Sequence, residues 1–314
     1  MMAAITVVGQ QCRNVRVANV RSIFAISPSP MGATVLFYGS AEEAEGELVT
    51  GTLFRLRLDG AENKIVQMKA PDASNPPAPV WQADGSSAYF ETDKGIYRLS
   101  SAGGSPELVW KGLAEGITIS SDGFLLAFWR VDKTADNLVL YDLRRRSEVR
   151  TWRVPDRFES DKSGWDLAFA HDGNALYART YDEASTSPLK RFDSSSGKVG
   201  IVNPNCYAVA EGKKAVYFIS VSGTARSLHK IAAEMGRPIL VSKNFGYDTL
   251  SRGGNPRWLV SQDYRTKQTV VLDTEIDTVK PIGKCESAAV LSDGKVIVVS
   301  GPEITVGDAS CRPK

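Results

Sequence analysis

One phrase recurs along this chain and limits what it can fold into. VWQADGSSAYFET (80–92) returns as ITISSDGFLLAFW (117–129), LAFAHDGNALYAR (167–179) and AAVLSDGKVIVVS (288–300). Each time an apolar strand enters an Asp-Gly corner and an alternating strand leaves it, the signal of a tight β-hairpin. The hairpins at Gly32 and Gly212 keep this form with other turn residues, and the one at Gly254 is the most degenerate. Turn glycines thus fall at Gly32, Gly85, Gly123, Gly173, Gly212, Gly254 and Gly294, with spacings of 53, 38, 50, 39, 42 and 40 residues. A period near forty residues marks a repeat architecture, and the two long spacings carry insertions.

Each marker is followed by a second hairpin with a polar tip, such as GIYRLSSAGGSPELVW (95–110) or QTVVLDTEIDTVKPI (268–282). Two hairpins make one four-stranded antiparallel unit, and such units set around a ring are the blades of a β-propeller. Seven markers predict an all-β, seven-bladed propeller spanning residues 1–314 as a single domain. Its inner strands should be apolar on both faces, and YAVA, VYFI, LLAFW and VIVVS meet that demand. The W-x-x-D-G start formed by Trp81, Asp84 and Gly85, followed by an apolar strand and then IYRL, resembles the TolB-type propeller repeat. That repeat is a relative of the WD-repeat blade, and it serves many tasks.

After Gly294 the chain has room for only two more strands before DASCRPK, so the seventh blade lacks its outer strand. A strand from the N-terminal segment (1–20), which contains AITVVG and NVRVANV, is expected to complete that blade and remove an exposed edge. The segments ITVVGQQCR and ITVGDASCR each place a cysteine just past an apolar strand. If they lie side by side, Cys12 and Cys311 can bond, a link worth ~5 kcal/mol in the chain-entropy model; free thiols on frayed ends are the alternative. Cys206 and Cys285 read as buried thiols.

Within a propeller blade the a–b and c–d turns share one face, and the b–c and blade-to-blade loops share the other. Here the first set is tight, and all length variation lies in the second. Rigid scaffolds present function on such variable loops. Just after the b strands come Arg130 and Asp132, then Arg179, Tyr181 and Asp182, then Asp263, Tyr264 and Arg265; Trp165 and Tyr247 lie in the links. Guanidinium, carboxylate and aromatic groups around one mouth suit a peptide tail, a sugar or a small anion. Latching of neighbouring blades is the plainer role for any single one of them. The run Arg144, Arg145 and Arg146 sits in a c–d turn on the opposite face and reads as a solubilising tip.

Catalytic signatures are missing from the sequence. It has no G-x-S-x-G elbow and no P-loop. Its two histidines are far apart: His171 belongs to a turn, and His229 should be exposed on a polar hairpin. The cysteines have no C-x-x-C spacing, so no metal site and no cofactor are expected. A net charge of +2 is too balanced to favour nucleic acid, and no apolar run is long enough for a membrane span. The reading is a monomeric, non-catalytic module that binds a protein or envelope component at the long-loop face. The TolB resemblance implies an extracytoplasmic bacterial protein, periplasmic or secreted if a signal peptide was removed and cytoplasmic otherwise. The alternative is a hydrolase or lyase with its pocket in the central channel and a divalent cation. A propeller severed from a peptidase is a third possibility.

Overall fold

The computed structural model describes residues 12–32, 34–41, 50–58, 64–67, 73–74, 78–131, 136–154, 167–180, 187–232 and 236–308. Seven antiparallel sheets follow one another along the chain. Blade 1 runs through Ser22–Pro28, Thr34–Ser40, Thr50–Arg57 and Lys64–Gln67. Blade 2 is Val80–Trp81, Ser87–Thr92, Gly95–Ser100 and Glu107–Lys111, and blade 3 is Ala114–Ile119, Leu125–Val131, Asp136–Asp142 and Ser147–Val154. Blade 4 is Leu167–Phe169, Ala175–Arg179, Leu189–Asp193 and Val199–Asn203; blade 5 is Cys206–Glu211, Ala215–Ser222, Ala225–Ala232 and Pro238–Ser242. Blade 6 is Ser251–Arg252, Trp258–Gln262, Gln268–Asp273 and Thr278–Lys284. Blade 7 takes Ser287–Val290, Val296–Ser300 and Glu303–Gly307 from the C-terminal end and Arg13–Arg16 from the N-terminal end. The four strands of each blade are called a to d, from the innermost outward.

The Asp-Gly phrase has a common geometry. Asp84, Asp122, Asp172 and Asp293 each accept, through Oδ1, the backbone N–H two residues on, at 2.9–3.1 Å. This is an Asx turn, and the glycine that follows the Asp takes a left-handed φ between +67° and +86°. Gly212 and Gly254, which lack a preceding Asp, have no positive φ. In the blade marked by Gly254 the innermost strand has only two residues, as it does in blade 2.

Core material sits between blades. Seven apolar clusters fill the seven junctions between successive blades, including the junction of blade 7 with blade 1. Strand b is therefore buried on both faces, as throughout Thr34–Ser40 and Ala175–Arg179. At the closure, Arg13–Arg16 pairs antiparallel with Glu303–Gly307, and buried Val17 and Val20 join the cluster between blades 7 and 1. The segment AITVVG lies outside the described residues.

Cys206 and Cys285 are buried thiols, and Cys12 is disulfide-bonded. Cys311, the partner expected from the sequence, lies outside the described residues. Peptide mapping of unreduced protein is expected to recover a Cys12–Cys311 pair, and alkylation of both without reduction would exclude it. His229 departs from its expected exposure. It is half-buried with its ring stacked on Phe218 at 5.2 Å, and burial pushes its pKa down. Its position on strand c, paired with Phe218 of strand b, offered an aromatic face that the polar pattern of the hairpin did not reveal.

Candidate functional site

The tight-turn face is occupied with holding the ring together. Gln82 Nε2 donates to the Gly123 carbonyl at 3.1 Å, joining blades 2 and 3, and Ser121 Oγ donates to the His171 carbonyl at 3.1 Å, joining blades 3 and 4. Buried Glu211 of blade 5 pairs with Arg252 of blade 6 at 3.0 Å, and Gly254 N–H reaches the Val290 carbonyl of blade 7 at 2.9 Å. The arginine turn shares this work: Arg146 meets Glu107 of blade 2 at 2.5 Å, while Arg144 lies over the Phe124 ring.

On the long-loop face one contiguous patch crosses blades 4, 5 and 6. Strand a of blade 5 carries a bulge between Cys206 and Ala208, and Tyr207 stands there with its ring 36% exposed. The guanidinium of Arg226, at the start of strand c, lies 4.9 Å from the centre of that ring; the guanidinium of Arg179 from blade 4 lies 5.7 Å away. Cation–π contacts of this kind hold the ring against the bulge. Arg226 also pairs with Asp248 at 2.6 Å, and the second oxygen of Asp248 accepts the Tyr264 N–H at 2.9 Å. Tyr264 itself is 57% exposed. Asp263 caps its own loop, accepting from Thr266 Oγ1 at 2.7 Å and from the Arg265 N–H at 2.8 Å. The Thr266 hydroxyl bond first, and backbone donors with it, hold the Asp263 carboxyl below the usual carboxylate range. Tyr247 packs on Phe245 at 5.0 Å, and burial, then the nearby Asp263 charge, raise its pKa.

The residues selected from sequence are thus distributed unevenly. Arg179, Tyr247, Asp263, Tyr264 and Arg265 lie in or beside the patch. Arg130 is held within its own blade by Glu148 at 2.9 Å. Asp132, Trp165, Tyr181 and Asp182 lie outside the described residues. Arg179 is only 6% exposed, and its guanidinium donates to the Tyr207 carbonyl, so it supports the patch from beneath. Tyr207, Arg226 and Asp248 were missed. Tyr207 and Arg226 come from a bulge and a strand start, away from the b-strand ends and links that the sequence singles out, and Asp248 lies in a link beside Tyr247.

Arg179 belongs to a set of polar groups that close the ring at this face. The last residue of strand b that points toward the next blade is Glu91 in blade 2, Arg179 in blade 4 and Gln262 in blade 6. Gln262 Nε2 donates to the Cys285 carbonyl at 2.7 Å, at the entry to blade 7. Glu91 accepts the backbone N–H groups of Gly116 and Ile117, which a bulge in strand a of blade 3 turns outward, with Gly116 at φ +64°. Glu91 is 6% exposed, and one of its carboxylate oxygens is buried with no hydrogen-bond partner. Burial first, and the Glu115 carboxylate second, push its pKa well above the usual carboxylate range. A carboxyl raised in the folded state takes up a proton on folding, so its contribution to stability falls as pH rises from the unfolded pKa through the folded one. Glu91→Gln is therefore expected to be more stable than the parent at neutral pH by about 1–3 kcal/mol. The difference should vanish near pH ~4, where the unfolded carboxyl is also protonated. Melting curves across that range check it; a constant difference, or a less stable variant at neutral pH, would contradict it.

The fold makes this chain a seven-bladed β-propeller whose long-loop face carries an Arg–Tyr–Asp patch. Among solved structures it is similar to oligogalacturonate lyase from Vibrio parahaemolyticus, with a TM-score of 0.68 and 12% identity over 95% of this chain and 96% of that one. An oligogalacturonate lyase in complex with manganese gives a TM-score of 0.67 and 11% identity, over 95% and 96% of the two chains. TolB from Acinetobacter baumannii gives 0.51 and 16% identity, over 92% of this chain and 64% of that one. Likeness at such identities establishes the propeller fold, which TolB shares, and nothing finer. No protein-family model matches the chain, and no curated protein matches it in sequence. Among the described residues, no group of three or more His, Cys, Asp or Glu is placed to hold a metal ion. Among the same residues, no helix is long and apolar enough to cross a membrane.

Proposed function

We propose that this protein is a non-catalytic, monomeric propeller that binds a partner protein or envelope component through the long-loop face of blades 4 to 6. The observation that supports the reading is Tyr207, an exposed aromatic ring flanked by two guanidinium groups and joined through Arg226 and Asp248 to exposed Tyr264. Tyrosine and arginine dominate the energetics of protein interfaces because they offer large contact area at small entropic cost. In this reading the protein works outside the cytoplasm, as the TolB-like repeat implies. Pull-down from native extract with the parent chain and with Tyr207→Ala/Tyr264→Ala tests it. Partners should be lost from the variant, and equal recovery by both would defeat the reading.

A second reading, a hydrolase or lyase working from the central channel with a divalent cation, draws on Glu91 and Glu115. Burial, and then the charge of Glu115 on the innermost strand of blade 3, hold Glu91 well above the usual carboxylate range. A carboxyl group raised in this way can serve as a general acid in enzymes. Stoichiometric metal carried through purification would favour this reading over the first.

A further inference from the structure

The rim of the ring is made of outer strands, each with one row of unpaired backbone groups. Proteins guard such edges with charged residues or proline, because an open edge pairs with other chains. Six of the seven outer strands here follow that rule: KIVQ, ELVWK, SEVRTWRV, PILVS, TVKPIGK and RNVR. The outer strand of blade 4, Val199–Asn203, reads VGIVN and has neither a charge nor a proline. Two of its apolar side chains are turned to solvent, with Val199 50% and Ile201 68% exposed, while Val202 packs against the core between blades 4 and 5. Gly200 leaves the opposite side open as well, since a Cβ built there would meet nothing within 4 Å.

Beside this strand is a depression of about 380 Å³, bounded on its far side by the Gly236–Arg237–Pro238 turn of blade 5. Arg191, Lys198 and Arg237 line it, and among the described residues no acidic side chain does. Asp193 accompanies Arg191 at 3.0 Å. The surroundings of the edge are therefore basic, while the edge itself is apolar and unguarded.

We propose that the outer edge of blade 4 is a second interaction site, which captures an extended acidic segment of a partner protein by strand addition. Main-chain hydrogen bonds to Val199–Asn203 supply register, and alternate side chains of the segment meet Val199 and Ile201 or the three cations. Charge decides between occupants. Two copies of this chain joined edge to edge would bring their arginine and lysine clusters together, whereas an acidic strand neutralises them. The site lies on the outermost strand of blade 4, whereas Arg179 is on strand b of that blade, and it does not depend on the long-loop patch.

The test uses the full chain and a fluorescent peptide of about eight residues, long enough to span the edge, alternating glutamate with valine and threonine. A matched peptide with lysine in place of glutamate is the control. Anisotropy titration should show the glutamate peptide binding and the lysine peptide at least about tenfold weaker. Ile201→Glu, which removes the apolar anchor and sets a like charge against the peptide, should weaken the glutamate peptide by about tenfold or more. Ile201→Val should retain binding. Equal affinity for both peptides, no binding of either, or indifference to Ile201→Glu would overturn the proposal. So would sedimentation showing a dimer of the parent chain that Ile201→Glu dissolves, since the edge would then belong to a second copy.

Discussion

A chain beginning at Arg21 is expected to melt about 10 °C or more below the intact protein and to aggregate on warming. The reason lies in how the ring closes. Arg13–Arg16 is the only described segment before residue 21 that pairs with a blade, and it covers Glu303–Gly307 along its length, from Arg13 against Val306 to Arg16 against Glu303. Behind it the Val17 N–H bonds the Pro302 carbonyl at 3.0 Å, and Thr305 Oγ1 reaches Asn14 at 2.8 Å. Val17 and Val20 are buried in the cluster between blades 7 and 1. Two buried valines at roughly 1.5–3 kcal/mol each, with the ladder bonds beside them, amount to about 5 kcal/mol. At about 2 °C per kcal/mol for a large domain, the melting shift follows. Aggregation has a separate cause: Glu303–Gly307 is apolar at its centre and would become an open edge without its arginine-bearing cover. Calorimetry and light scattering of the deletion measure both effects, and a monomeric product with unchanged melting would contradict the closure described above.

The second large effect is expected at the long-loop patch. Tyr207→Ala with Tyr264→Ala should weaken partner binding by about 2–4 kcal/mol, thirtyfold to a thousandfold in Kd, because truncation of central aromatic anchors commonly costs that much. Both rings are substantially exposed, so the melting temperature should hardly move. Arg179→Ala is a different experiment. Its side chain is buried and donates to the Tyr207 carbonyl, so removing it should cost about 1–3 kcal/mol of stability in addition to any loss of binding. Charge reversal at Arg144, Arg145 and Arg146 should leave binding intact, since those side chains lie on the opposite face. Calorimetric titration against the recovered partner, paired with melting curves, separates these cases. Loss of binding from the arginine turn with the tyrosines indifferent would move the working surface to the other side of the ring.

The architecture was legible because a propeller blade writes itself locally. The Asp-Gly corner fixes the a–b turn of four blades by one side-chain hydrogen bond and one left-handed glycine, and the burial of strand b on both faces leaves a short apolar run. Closure could be read from the shortage of strands after Gly294. The site was less legible. Position after strand b reports which face a residue reaches, and it says little about where the side chain points. Arg179 lies two residues beyond buried Tyr177 on the same strand, and that alternation turns it into the junction between blades 4 and 5. Tyr207 depends on a bulge, and Asp248 is defined by its pairing with Arg226, a contact between segments 22 residues apart in sequence. No period or motif encodes either.

The most direct measurement places a photoreactive phenylalanine analogue at position 264 in the protein expressed in its native cell, and at position 145 in a parallel strain. Irradiation followed by electrophoresis and mass spectrometry reads which surface another molecule touches. A discrete protein adduct from position 264, reduced by Tyr207→Ala and missing from position 145, is the expected result. Adducts from position 145 with none from position 264 would contradict the claim that the long-loop face of blades 4 to 6 is where this propeller works.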